Sequence, residues 1–141
     1  MTVNQILGTK GKQVFSVVST ITVYEAIKIM GEKNIGAILI IEDNILKGIL
    51  SERDYARKIV LKDKASKETL VHEIMETNLP KVCSTDNIDY CMELMSNKRV
   101  RHLPVLENNT VIGLVSIGDV VKAIIEKQLE TIEHLHSYIS Q

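Results

Sequence analysis

The sequence predicts an α+β fold, sandwich-like in its layering, made of two β-α-β-β-α repeats, and three observations predict it. Gly48-Ile-Leu-Ser51-Glu-Arg-Asp54 returns 65 positions later as Gly113-Leu-Val-Ser116-Ile-Gly-Asp119. The same shift carries Thr20 onto Thr85, Val23 onto Ile88, Met30 onto Met95, Ile40 onto Val105 and Ile59 onto Ile124, so whole elements repeat and not one motif alone. Between these landmarks the apolar pattern passes from β-branched runs to helical spacing and back, in the same order in both copies.

In the first copy, Val14-Phe-Ser-Val-Val18 is a short β-branched run. Thr22-Val-Tyr-Glu25 then has the spacing of a capping box, and Val23, Ala26, Ile27 and Met30 follow at helical intervals. Ala37–Ile41 is a continuous apolar run suited to a buried strand, Glu42-Asp-Asn44 is turn chemistry, and Ile45–Leu50 returns as the second arm of a hairpin. A helix is expected from Glu52 to Lys62, followed by a polar linker, Lys62–Glu68. The second copy runs through Val82, a helix from Ile88 to Asn97, strand His102–Leu106, turn Glu107-Asn-Asn109, strand Val111–Val115 and a helix from Gly118. The repeat divides the chain into residues 1–68, a first domain with an N-terminal segment, and residues 69–141, a second domain with a helical extension. Along that extension Ile125, Leu129, Ile132, Leu135 and Ile139 fall three or four apart on one face, a stripe that calls for a partner and predicts a homodimer.

Bulk properties narrow the function. At 141 residues the chain has the size of one compact domain, and 45% hydrophobic with 25% charged residues is globular usage. Seventeen basic against eighteen acidic side chains give no general pull towards nucleic acid or an anionic membrane. The first ten residues carry no signal-peptide core, and no apolar run approaches the roughly 18 residues of a membrane span, which makes the cytoplasm the expected compartment. Cys83 and Cys91 have neither redox nor zinc spacing and read as reduced, buried thiols. His72, His134 and His136 show no metal geometry, and no P-loop or Ser-His-Asp arrangement is recognisable, so no catalytic residue, metal or catalytic cofactor is expected.

Ser51-x-x-Asp54 and Ser116-x-x-Asp119 each follow a strand and open a helix. A capping box alone accounts for such a pattern and stabilises the helix by about 1 kcal/mol. Two occurrences at matching places in a repeat favour a binding role. The helix N-terminus and the serine hydroxyl suit a phosphate, while a carboxylate one turn later offers two acceptor oxygens to the neighbouring hydroxyls of a ribose.

These residues, with Val71-His-Glu-Ile-Met75 and Arg99-Val-Arg-His-Leu-Pro-Val105, resemble the paired CBS domains (Bateman modules) named after cystathionine β-synthase, and in particular the free-standing two-domain members. The resemblance covers nearly the whole chain. It implies two CBS folds related by pseudo-twofold symmetry, with clefts between the repeats that take AMP, ADP, ATP, NAD(P)-type ligands or S-adenosylmethionine. It further implies Asp54 and Asp119 as ribose ligands, Ser51, Arg53, Arg101, His102, Ser116 and Gly118 facing phosphate, and Ile21, Ala26, Ala37, Ile38 and Cys91 around adenine. One cleft would join Ser51, Arg53 and Asp54 to Cys91, Arg101 and His102; the other would join Ser116, Gly118 and Asp119 to Ile21, Ala26, Ala37 and Ile38. Where the second copy has Arg101-His102 the first has Gly36-Ala37, so only the Asp54 cleft is expected to make strong anion contacts. Arg57 and Lys58 read as a solvated helix face, and Met30, Met75, Met92 and Met95 as core fillers. The function implied is energy or redox sensing by a regulatory module with an unidentified protein effector; the alternative is a structural homodimerisation module without ligand.

Overall fold

The computed structural model describes residues 1–11 and 13–140. In chain order these form helix α1 (Val3–Lys10), strand β1 (Ser16–Val17), helix α2 (Val23–Lys33), the hairpin β2 (Ala37–Glu42) and β3 (Ile45–Ser51), and helix α3 (Glu52–Tyr55). A π-helical turn (Ala56–Val60) and a 3-10 turn (Val71–Glu73) follow. Helix α4 (Ile88–Lys98), the hairpin β4 (His102–Glu107) and β5 (Thr110–Ser116), and helix α5 (Ile117–Ser140) complete the chain. This is the α+β pair of repeats that the sequence predicts.

The residues gather into two compact units: one of Val14–Leu79 with Asn109–Val111, the other of Met1–Gln13, Pro80–Asn108 and Ile112–Gln141. They are called here the first-repeat and second-repeat units. The grouping differs from the expected division at residue 68, because the N-terminal segment belongs with the second repeat and residues 69–79 with the first. Burial is the reason. Helix α1, which the sequence reading leaves unassigned, sinks Val3, Ile6 and Leu7 among Ile88, Cys91, Met95, Leu103, Val105, Val115 and Val120. Each such side chain contributes about 1.5–3 kcal/mol by leaving water.

In the first-repeat unit β1 runs parallel to β2, with Ser16 opposite Leu39, and β2 runs antiparallel to β3, with Ala37 opposite Ser51. Strand β1 is two residues long where Val14–Val18 is expected. Asp43 and Asn44 hold the two left-handed conformations (φ 52° and 63°) that a two-residue hairpin turn demands, and Asn108 and Asn109 repeat the device (φ 50° and 62°). Thr22 caps α2 by accepting from the Glu25 N–H, and Val23, Ala26 and Met30 turn into a core with Ile38, Ile40, Leu50, Ile59, Val71 and Ile74. The helix expected from Glu52 to Lys62 winds as α for four residues and as π for five, closing with Leu61 N–H to Ala56 O at 3.0 Å.

In the second-repeat unit β4 pairs with β5, and Val82 makes a parallel bridge to Val105. Cys91 is buried, with its thiol pushed up to about 11 by burial first and the Asp86 carboxylate second, whereas Cys83 is exposed and corrects the expectation of two buried thiols. Beyond Ala123 helix α5 has no buried residue, and Ile125, Leu129, Ile132, Leu135 and Ile139 are each half exposed or more. Among the described residues no helix is long and apolar enough to cross a membrane.

Candidate functional site

Both motifs sit where a buried strand turns into a helix, and both close on themselves. At the first, the Asp54 N–H donates to Ser51 Oγ (3.1 Å) while Asp54 Oδ2 accepts from the Ser51 N–H (2.9 Å) and from its hydroxyl (3.0 Å). At the second, the Asp119 N–H donates to Ser116 Oγ (3.2 Å) and Asp119 Oδ2 accepts from the Ser116 N–H (2.8 Å). The first helical amide is also engaged, Glu52 N–H with Gly36 O at 3.0 Å and Ile117 N–H with Arg101 O at 2.8 Å. The capping box is therefore real in each repeat, and two of the amides expected to face a phosphate are bonded within their own unit.

Each carboxylate additionally holds a lysine, and the two lysines come from different places. Lys58, one turn beyond Asp54, brings Nζ to 3.2 Å from Asp54 Oδ1 and donates to Ile74 O (2.8 Å) and Glu76 Oε1 (2.5 Å). It is thus tied to the motif and its neighbouring segment and does not belong to a solvated face. Burial disfavours its charge, but the Glu76 and Asp54 carboxylates outweigh that and raise its pKa above the ordinary lysine value. In the second-repeat unit the role falls to Lys10 of α1, whose Nζ donates to Asp119 Oδ2 (2.6 Å) and Leu114 O (2.7 Å). Burial pushes the Asp119 carboxyl up, and the Lys10 hydrogen bond, the Ser116 N–H and the ammonium charge together bring it below the ordinary aspartate value.

Lys10 is the ion-pair partner that sequence reasoning missed, although a signal exists for the helix that carries it. Val3-Asn-Gln-Ile-Leu7 echoes Val71-His-Glu-Ile-Met75 at a shift of 68, not 65. The echo is structural: Thr2 N–H donates to Gln5 Oε1 (2.8 Å) as Leu70 N–H does to Glu73 Oε2 (2.7 Å), and Thr2 bridges Asn87 as Leu70 bridges Thr22. The glycines that open the motifs face these segments. A Cβ at Gly48 would lie 2.8 Å from Glu76 O and 2.9 Å from Met75 Sδ, and one at Gly113 would lie 2.7 Å from Leu7 Cδ2.

The remaining residues divide by exposure. In the first-repeat unit Ser51 and Arg53 are half-buried beside the buried Asp54, and in the second-repeat unit Arg101 is exposed and His102 half-buried at the start of β4. Gly118 is exposed, with only Ser116 Oγ near its Cβ position, so α5 has open space where α3 carries the Arg53 side chain. Of the residues expected around adenine, Ala26, Ala37 and Ile38 are buried in the first-repeat unit and Cys91 in the second, while Ile21 keeps accessible surface.

Comparison with known proteins follows the same lines. The CBS domain model matches residues 9–61 and again 71–126. The mitochondrial CBS domain-containing protein CBSX3 of Arabidopsis thaliana is 37% identical across 98% of this chain and 71% of its own. A protein with CBS domains from Burkholderia ambifaria MC40-6 superposes with a TM-score of 0.86 at 46% identity, covering 91% of this chain and 96% of that one. A CBS domain pair solved in complex with 5′-methylthioadenosine and S-adenosyl-L-methionine gives a TM-score of 0.79 at 26% identity, covering 90% of this chain and 98% of that one. With both repeats matched by the family model and the paired architecture shared with these relatives, the chain belongs to the CBS domain family.

Proposed function

We propose that this chain is a regulatory, non-catalytic module of the cytoplasm that binds an adenosine nucleotide, AMP, ADP, ATP or an NAD-type ligand, at the Ser51–Asp54 and Ser116–Asp119 motifs. As a homodimer it passes the occupied state to a protein effector. The observation that carries the reading is the repetition of one carboxylate-and-serine geometry at the same strand-to-helix junction in both units. The adenosine ligands of the related CBS pair support the choice of nucleoside. In this reading Asp54 and Asp119 take the ribose hydroxyls, and Ser51, Arg53, Ser116 and Gly118 face phosphate. Arg101 adds a cationic donor and His102 an imidazole, and Ile21 offers adenine its accessible apolar surface.

Two observations favour the alternative, a ligand-free dimerisation module: both carboxylates already serve as caps and ion-pair partners, and α5 carries an exposed apolar stripe. Calorimetry with AMP, ADP, ATP, NAD and S-adenosylmethionine separates the two. A ligand at 100 times its Kd adds about 2.7 kcal/mol of stability. Asp54→Asn removes one of the two acceptors and abolishes the tighter site, and Arg101→Ala weakens it by about 1.5–3 kcal/mol, ten- to a hundredfold. Absence of heat with every adenosine ligand at millimolar concentration, or equal affinities in wild type and both variants, establishes the capping reading instead.

A further inference from the structure

We infer that Lys10 sets the affinity of the Asp119 motif by competing with the ligand's hydroxyls for the carboxylate, so that a bound ribonucleoside and the docked end of α1 exclude one another. The inference rests on the nucleotide reading above. A carboxylate oxygen has about two acceptor directions. Asp119 Oδ2 spends one on the Ser116 N–H and the other on the Lys10 ammonium, 2.6 Å away. In a pose that sets one ribose hydroxyl on each carboxylate oxygen, Oδ1 takes the first, but Oδ2, filled by the Ser116 N–H and Lys10, takes the second only after the ammonium leaves.

The surroundings allow that departure. Helix α1 is anchored by Val3, Ile6 and Leu7, whereas Lys10 lies in its last turn and is 37% exposed. Gly11 follows with φ 101°, a conformation glycine adopts without strain. Directly beside the ion pair lies a cavity of about 150 Å³, lined by Thr9, Lys10, Asp119, Lys122 and Glu126 among others, which gives the ammonium room and a second carboxylate, Glu126, to move towards. The first motif is held differently: Lys58 contacts Asp54 through Oδ1 and is bound at the same time to Ile74 O and Glu76. Lys10 is therefore the residue through which the second motif is held weak and through which its occupancy reaches the N-terminal helix.

The test uses the Asp54→Asn protein, in which the first motif is disabled, with AMP as the probe. Lys10→Met keeps an unbranched side chain one atom shorter, with similar helix preference, at a partly exposed position and leaves the fold intact, which a thermal melt verifies. Added to Asp54→Asn it tightens AMP binding by about two- to fivefold, the range of a partly exposed ion pair. Lys10→Arg leaves the affinity at the parent value, and Asp119→Asn abolishes the binding that Lys10→Met gained. In wild type, saturating AMP speeds amide exchange at Gly11, whose N–H closes α1 on Leu7 O at 2.7 Å. Unchanged or weaker AMP binding with Lys10→Met, in a protein whose wild type binds AMP, overturns the inference alone. Absence of binding of AMP and of every other adenosine ligand by wild type overturns the nucleotide reading and the inference with it.

Discussion

Ser51–Asp54 and Ser116–Asp119 are built on nearly the same backbone, with the same reciprocal cap and the same bond from the first helical amide to the carbonyl of the residue just before the hairpin, Gly36 in one and Arg101 in the other. They differ in what neutralises the carboxylate. At Asp54 the cation comes from the same helix, four residues on, and is bound also to a neighbouring segment. At Asp119 it arrives from 109 residues away, on a helix that precedes both repeats. A repeated sequence can thus conserve a local device while its electrostatic environment is rebuilt from different parts of the chain, and the two copies become separately adjustable.

The largest test of this contrast is mechanical. Leu7 is buried against Gly113 in the way Met75 lies against Gly48, but Leu7 is 1% exposed and Met75 only half-buried. Leu7→Ala costs about 3 kcal/mol in guanidinium unfolding and Met75→Ala distinctly less; equal losses would break the asymmetry. A smaller difference separates the glycines. Gly48→Ala drives a methyl into the Glu76 carbonyl and costs about 2 kcal/mol, whereas Gly113→Ala meets a leucine side chain that can turn and costs about 1 kcal/mol, read by the same denaturation curves.

The smallest effect lies in the pH profile. Asp119 titrates below its ordinary 3.8 in the folded chain, so its stabilisation is present above that pH and is lost as pH falls through the lower folded value. Lys58 titrates above its ordinary 10.5, so its contribution is present below that pH and is lost as pH rises through the higher folded value. Each is worth a few tenths of a kcal/mol after solvent screening. Melting curves sharpen the comparison if Lys10→Met flattens the acid limb and Lys58→Met the alkaline limb; interchange of the two limbs would refute it.

Local chemistry explains what was legible beforehand. Asp43-Asn44 and Asn108-Asn109 announce their turns because few other residues accept positive φ twice in succession, and Thr22, Ser51 and Ser116 announce helix starts through hydroxyls placed three residues before their amides. Lys58 is also within reach of such reasoning, since a cation four residues after an acid faces it on a helix. Lys10 is not, because no local rule connects it to Asp119. Helix α1 hides for a related reason: its echo of Val71–Met75 lies at a different shift from the main repeat, so it falls out of register when the sequence is laid over itself. The π turn after Tyr55 leaves no mark in the helical spacing, and Ile59 is buried in the core from within it.

The membership of α1 in the second-repeat unit bears on how the protein is made. A ribosome releases Val3, Ile6 and Leu7 before any of their core neighbours, and the strand and helix that receive them, β5 and α5, emerge last. Almost all of the first-repeat unit, in contrast, is one contiguous stretch, Val14–Leu79, whose contacts become available as soon as that stretch leaves the exit tunnel. Closing a loop of roughly 100 residues carries an entropic cost that short-range contacts avoid, and domains generally fold as units in the order of their synthesis. That order favours folding of the first-repeat unit ahead of the docking of α1, and it makes the closure of Lys10 on Asp119 a late step in the chain's assembly.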